Sequence, residues 1–367
     1  MPVEVPRDPA REGARILTIC NACRYCEGYC AVFPALERRM NFTPADLDYL
    51  ANLCHNCAEC YYACQYAPPH EFAVNVPKTL AQMRVRSYQH HAWPGPLAAV
   101  FRRNGWIASL ALVIALAIWI AATNGSTGTG AQFYQVISHR AMVAVFGGVS
   151  IFILIALAVG FVRFWRESNA SGGNPANFVV LKQALNDVFR LTYLHGDGQG
   201  CTYPQESRSL ARWWFHHLTF YGFLLCFAAT SVAAIYHYAF GWRAPYGYLS
   251  LPVVLGTLGG VGLLAGPAGL FRLKQRGDVA TCDHEQDGMD IAFLALLFST
   301  SATGLLLLAL RETSVMPLLL AVHLATVLAL FVTLPYGKFV HGIYRLAALM
   351  RYALERLQVK GRNAPGR

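Results

Sequence analysis

The sequence predicts a mainly α-helical fold in two unequal parts, a small cysteine-rich domain followed by a six-helix transmembrane bundle. Three observations carry this. The 367 residues are 55% hydrophobic and only 14% charged, a balance that does not make an ordinary soluble surface. Eight of the 11 cysteines fall before residue 65. Beyond residue 100, long uncharged stretches alternate with short basic loops. The expected division is a cytoplasmic domain over 1–100, a membrane domain over 101–345 and a basic cytoplasmic tail over 346–367.

The uncharged stretches run over 105–122, 141–162, 213–242, 244–271, 291–310 and 313–337. Each can cross a hydrocarbon layer about 30 Å thick, which takes about 20 helical residues. One such run can be a buried helix of a large soluble protein, but six in succession read as membrane spans. With the N-terminus inside, the outer loops contain only Arg140, Arg243 and Arg311, so 27 of the 30 basic residues face the cytoplasm. The expected topology is six spans in membrane lipid with both termini cytoplasmic. The same spread of basic residues over every inner loop explains the net charge of +10 without nucleic acid as a partner.

The first 20 residues lack the apolar core of a secretory signal, so the thiols are expected to stay in the reducing cytosol. There, metal ligation is a better account of clustered cysteines than disulfides. Cys20, Cys23, Cys26 and Cys30 form one C-x2-C-x2-C-x3-C run, and Cys54, Cys57, Cys60 and Cys64 form a second. In the bacterial ferredoxin pattern, three closely spaced thiolates wrap one cubane and the fourth reaches the other cluster. That rule assigns Cys20, Cys23, Cys26 and Cys64 to one [4Fe-4S] cluster, and Cys54, Cys57, Cys60 and Cys30 to the second. The first part is thus expected to be a ferredoxin-like two-cluster domain. Zinc, which usually pairs two CxxC knuckles, fits this spacing poorly. Proline usually follows the fourth cysteine directly, whereas here Pro34 and Pro68 come four residues later, which affects the intercluster geometry but not the ligand count.

The other cysteines give weaker signals. Cys226, in an apolar span, reads as a small buried hydrophobe. Cys282, beside Asp283 and His284, reads as part of a solvated inner loop. Cys201 lies in the longest inner loop, 163–212, which can dock under the cluster domain. The apolar stretch FVVLKQALNDVFRL in that loop reads as an amphipathic interfacial helix. His55, inside the second cysteine run, reads as a residue tuning cluster potential at most.

Ionisable side chains within spans are costly, so intramembrane histidines are functional candidates. His216, His217 and His237 lie on the third span, His323 on the sixth, and His341 just past its inner end. Neutral imidazole is the usual haem ligand, which makes a b-type haem the expected cofactor. On a straight helix His323 and His341 share a face, and helical phase favours His216 over His217. Matched depth then pairs His216 with His341 at the cytoplasmic side and His237 with His323 at the outer side, giving two haems. Pro335 lies between the two histidines of the sixth span and can kink it.

The twin cysteine runs, the segment WWFHHLTFYGFLLCFAATS and the ending LPYGKFVH together resemble the tricarballylate-utilisation protein B family, also called citrate-utilisation protein B. The membrane half is similar to the cytochrome b gamma subunit of respiratory nitrate reductase, in which the segment like LPYGKFVH carries a haem histidine, here His341. The resemblance implies a bacterial inner-membrane protein partnered by an FAD-dependent dehydrogenase of tricarballylate or a similar tricarboxylate. Its reduced flavin would be reoxidised through the clusters and haem into quinone. No dinucleotide-binding fingerprint is present, and Gly259, Gly260 and Gly262 fall inside a span, where glycines let helices approach closely. A tricarboxylate transporter or pump with a redox-sensing cluster domain is the contrasting expectation. Against it, Asp290 and Glu312 lie only at span ends, leaving no carboxylate relay within the spans.

Overall fold

The computed structural model describes residues 8–123, 133–169, 177–194, 202 and 207–362, and Cys201 lies outside them. Among the described residues the regular structure is helical: α1 Pro9–Cys23, α2 Val32–Leu36, α3 Pro44–Leu53, α4 Glu59–Tyr62 and α5 Val76–His91 build the cysteine-rich domain. Local chemistry starts these helices. Asp8 caps α1 ahead of Pro9, Thr43 and Asp46 form a capping box on α3, and Asn75 accepts from the Lys78 amide at the start of α5.

The bundle follows as α6 Gly95–Thr123, α7 Phe133–Val136, α8 His139–Ser168, α9 Phe178–Arg190, α10 Ala211–Phe240, α11 Leu251–Gln275, α12 Asp287–Ala309 and α13 Met316–Thr333. Five segments are long and apolar enough to cross a membrane, namely α8, α10, α11, α12 with the turn before it, and α13. A sixth is added if α6, bent by 101° between Phe101 and Gly105, counts as one span. Exposed side chains such as Ile151, Leu154, Phe227 and Leu258 on these helices suit a lipid environment. Helices α10 and α11 approach most closely, through Gly222, Gly259, Gly262 and Gly266.

The sixth span differs from the expectation of one straight helix. α13 stops at Thr333, residues 334–339 form turns around Pro335, and α14 (Val340–Arg362) begins anew. Proline lacks the amide a continuing helix needs at that point. His341 therefore belongs to α14, and the five-turn phase relation with His323 does not hold.

Residues 346–362, expected in the basic tail, are the body of α14. Ala347, Ala348, Leu349, Tyr352 and Leu354 are buried in one core with Ile16, Leu36, Leu50 and Leu80 of the cysteine domain. Glu355 ties this helix down, accepting from Tyr49 and pairing with Arg38, Arg39 and Arg351, while Asp46 pairs with Arg39 and Arg351. The N-terminal domain and the C-terminal helix thus lie at the same end of the bundle. α9 packs Val180 and Ala184 into this core and leaves Phe178 and Val179 exposed. At the domain junction, Glu167 of α8 pairs with His90 and His91 of α5.

Candidate functional site

The eight motif cysteines gather at two places. Cys20, Cys23, Cys26 and Cys64 line a small cavity of about 30 Å³, and Cys60 lines it too. Cys30 lies electrostatically closest to Cys57 and Cys54, and Cys60 to Cys57, Cys30 and Cys54. Among the described residues, no three cysteine sulfurs lie within 4.8 Å of one another.

Burial raises these thiols. Cys20 and Cys26 are pushed up to about 12 by desolvation and then by neighbouring cysteines, and Cys30 and Cys60 well above the usual range for the same reasons. Left empty, such sites favour the neutral thiols, and ionised thiolates crowded in this way would need a cationic centre to be stable. In the second run, left-handed turns at Asn56 and Ala58 wrap the chain around Cys57, and the Asn56 amide donates to Cys54 Sγ at 3.4 Å.

Against this second run lies a cavity of about 460 Å³, between α10, α11, α12 and α14. His216 and His341 both line it, with ring centroids 6.0 Å apart. A metal held between two imidazole nitrogens at about 2 Å each puts the centroids roughly 6 Å apart. His341 Nδ1–H donates to the Lys338 carbonyl at 2.5 Å, which leaves Nε2 free to ligate. Burial and then Arg345 hold His341 well below the usual imidazole range, so the ring is neutral. The His216 Nδ1 is buried without a hydrogen-bond partner.

The remaining histidines go elsewhere. His217 donates to the Trp213 carbonyl and stacks on Tyr221. His323 meets Thr303 Oγ1 of α12 at 3.0 Å. His237 stacks on His139 of α8, centroids 4.0 Å apart and planes 16° from parallel. His139 is a ring partner of His237 that sequence depth did not reveal, and the Thr303 contact at Nδ1 leaves His323 Nε2 free.

Several residues of the site were not legible in the sequence. His55 is buried on the cavity wall, donating from Nδ1 to the Leu53 carbonyl at 2.8 Å, and burial holds it well below the usual range. Arg84, Arg212 and Arg345 line the same cavity. Arg345 donates to the carbonyls of Asn52 and Cys54, and Arg212 to that of Asn56. Burial and then Arg84 lower the Arg345 guanidinium to about 10.

The loop after α11 also departs from expectation. Cys282 and Asp283 line the cavity, and Cys282 and Leu273 pack on Cys57. Tyr62 donates to Asp278 at 2.8 Å, and Asn75 to the Ala280 carbonyl at 2.6 Å. This loop is a docked support for the second cysteine run, and of Cys282, Asp283 and His284 it is His284 that keeps the expected exposure. Within the 163–212 loop, Thr202 donates to the Cys57 carbonyl and Arg208 pairs with Glu59, so these two residues dock on the same run.

A cysteine-rich domain of this type on a bundle of five to six apolar helices defines an iron–sulfur protein of the membrane class. Residues 94–362 match the family described as "Citrate utilization protein B", and residues 13–90 match its "Fer4-like domain". The sequence is 48% identical over 366 residues to Citrate utilization protein B of Escherichia coli, covering 98% of this chain and 96% of that one. No solved structure matches it. The chain belongs to the citrate utilization protein B family.

Proposed function

We propose that this chain is a membrane electron-transfer protein that reoxidises a flavoprotein dehydrogenase of tricarballylate or a similar tricarboxylate and delivers the electrons to quinone. The observation that carries this reading is the pair of opposed histidines, His216 and His341, across a cavity whose wall is the second cysteine run. When bound, two [4Fe-4S] clusters and a b haem supply one-electron carriers that divide a two-electron donor.

The chain's own residues set the order. Cys20, Cys23, Cys26 and Cys64 hold the outer site, beside the exposed Tyr25, where a soluble partner can approach. Cys30, Cys54, Cys57 and Cys60 hold the inner site. Arg345 joins the Cys54 carbonyl to the cavity, and His55 and Asn56 form the wall between, so only a thin layer of protein separates this site from the histidine pair. His341 is oriented by its bond to Lys338, and His216 faces it from α10. Phe220, Phe223 and Phe293 give the cavity apolar wall on which a flat ring system can lie.

The membrane placement is part of the same reading: bacterial inner membrane, with both termini and the cysteine domain cytoplasmic, as the distribution of basic residues favours. The test mixes the purified protein with a flavoprotein tricarboxylate dehydrogenase encoded nearby. Substrate should bring a reduced haem spectrum and quinone consumption. If no such partner produces substrate-dependent reduction, the coupled role falls; if the protein shows cluster absorption without haem, the haem route falls.

A further inference from the structure

The cavity is two-ended. Toward the bundle core its wall holds Phe223 and Phe293, and toward the second cysteine run it carries the guanidinium groups of Arg84, Arg212 and Arg345, the last two donating to the Asn56 and Cys54 carbonyls. Arg84 reaches in from α5 and is only 6% exposed, yet its Nε and Nη2 have no hydrogen-bond partner. The carboxylates on the cavity wall are engaged elsewhere. Asp290 is held by Lys274 and Lys338, each at 2.8 Å, Asp283 accepts from Gln286, and Asp187 from Gln183. A buried guanidinium left in this state calls for an anion, and its planar fork matches a carboxylate with two parallel hydrogen bonds.

We propose that Arg84, flanked by Arg212 and Arg345, binds a carboxylate arm of the cavity's occupant, namely the propionate side chains of the haem placed between His216 and His341. This rests on the haem reading above. The ligand must be amphipathic, because a free tricarboxylate leaves the aromatic end empty and a quinone has no anionic group for Arg84. An occupant with a large apolar body and carboxylates at one edge satisfies both ends of the cavity. It also sets the rotation of the ring, carboxylate edge toward the cysteine domain.

The full-length protein in detergent, depleted of haem, is titrated with haem and with haem whose propionates are methyl esters. Arg84→Gln and Arg84→Lys variants are titrated alongside, and the cluster resonance signals report folding. The wild type should prefer free haem at least tenfold. Arg84→Gln should lose most of that preference and bind the ester as before, with a lower haem midpoint potential because a cation is gone; Arg84→Lys should fall between. A wild type that takes up both forms equally, or an Arg84→Gln protein with unchanged preference and potential, overturns the carboxylate assignment and leaves the haem reading standing. A wild type that takes up neither form overturns the haem reading itself. If Arg84→Gln loses its cluster signals, the wild-type comparison of the two haems decides alone.

Discussion

The closeness of α10 and α11 makes a quantitative test of how the histidine pair is positioned. A Cβ added at Gly266 would lie 2.6 Å from the Thr219 amide nitrogen, 2.9 Å from the Phe215 carbonyl oxygen and 2.4 Å from Thr219 Oγ1. Two of those three atoms are backbone and cannot swing away. Carbon contacts relax only near 3.5 Å, so Gly266→Ala must part the two helices by roughly 1 Å at this level. Overpacking of this kind costs about 1–3 kcal/mol. His216 sits between Phe215 and Thr219, so it moves with the displaced segment. Ligand distances hold within about 0.2 Å of ideal in a metal site, and the shift exceeds that several-fold. The expected result is a loss of most haem absorbance in purified Gly266→Ala protein, with a lower unfolding midpoint and unchanged cluster signals. Gly256→Ala serves as the control, since its Cβ meets Ala229 Cβ at an ordinary 3.6 Å and should leave both measurements unaltered. Full haem content and an unchanged midpoint in Gly266→Ala would refute the reasoning.

Four further outcomes are expected. Cys30→Ser should damage the cluster held by Cys54, Cys57 and Cys60; paramagnetic resonance showing loss only of the Cys20, Cys23 and Cys26 cluster would reverse the assignment. His216→Ala should abolish the cavity haem, whereas His217→Ala and His323→Ala should retain it, because His216 lines the cavity and the other two rings do not; the optical spectra of the three variants decide. Glu355→Ala leaves the buried Arg39 and Arg351 sharing only Asp46, and should destabilise the joint between α14 and α3 by about 3 kcal/mol in denaturant titration; a change below about 0.5 kcal/mol would show the network to be idle. The Asp48 carboxyl is pushed up to about 6 by burial, so the folded protein holds its proton more tightly than the unfolded chain. Stability from this group is therefore present at low pH and is lost as pH rises through 6. Asp48→Asn should stabilise the cysteine domain by about 2 kcal/mol at pH 7.5 and by progressively less toward pH 4, and an equal gain at both ends would contradict this.

Much of this protein was determined by local sequence. Cysteine spacing at C-x2-C-x2-C-x3-C fixes which thiols can converge, and uninterrupted apolar length fixes which segments are long enough for a membrane. The glycines of α11 likewise announced a close helix approach, because only a residue without a Cβ allows it. These are properties of neighbours in the chain.

What only the tertiary structure decided depends on residues far apart in sequence. Arg84 reads as one more basic residue of a polar helix until folding places it against a cavity formed by α10, α11, α12 and α14. Cys282 and Asp283 read as solvated because a short polar loop gives no sign of the surface it will cover, here the Cys57 turn. The break after Thr333 put His341 on a separate helix, α14, rather than on a straight continuation of the helix that carries His323, and packing of α14 into the cysteine domain's core then set it opposite His216. Depth along a helix is legible from residue counting, but the direction a ring faces is set by the rotation and packing of whole helices. For that reason His237 could be placed near the end of its helix from the sequence, while its stacking on His139 could not.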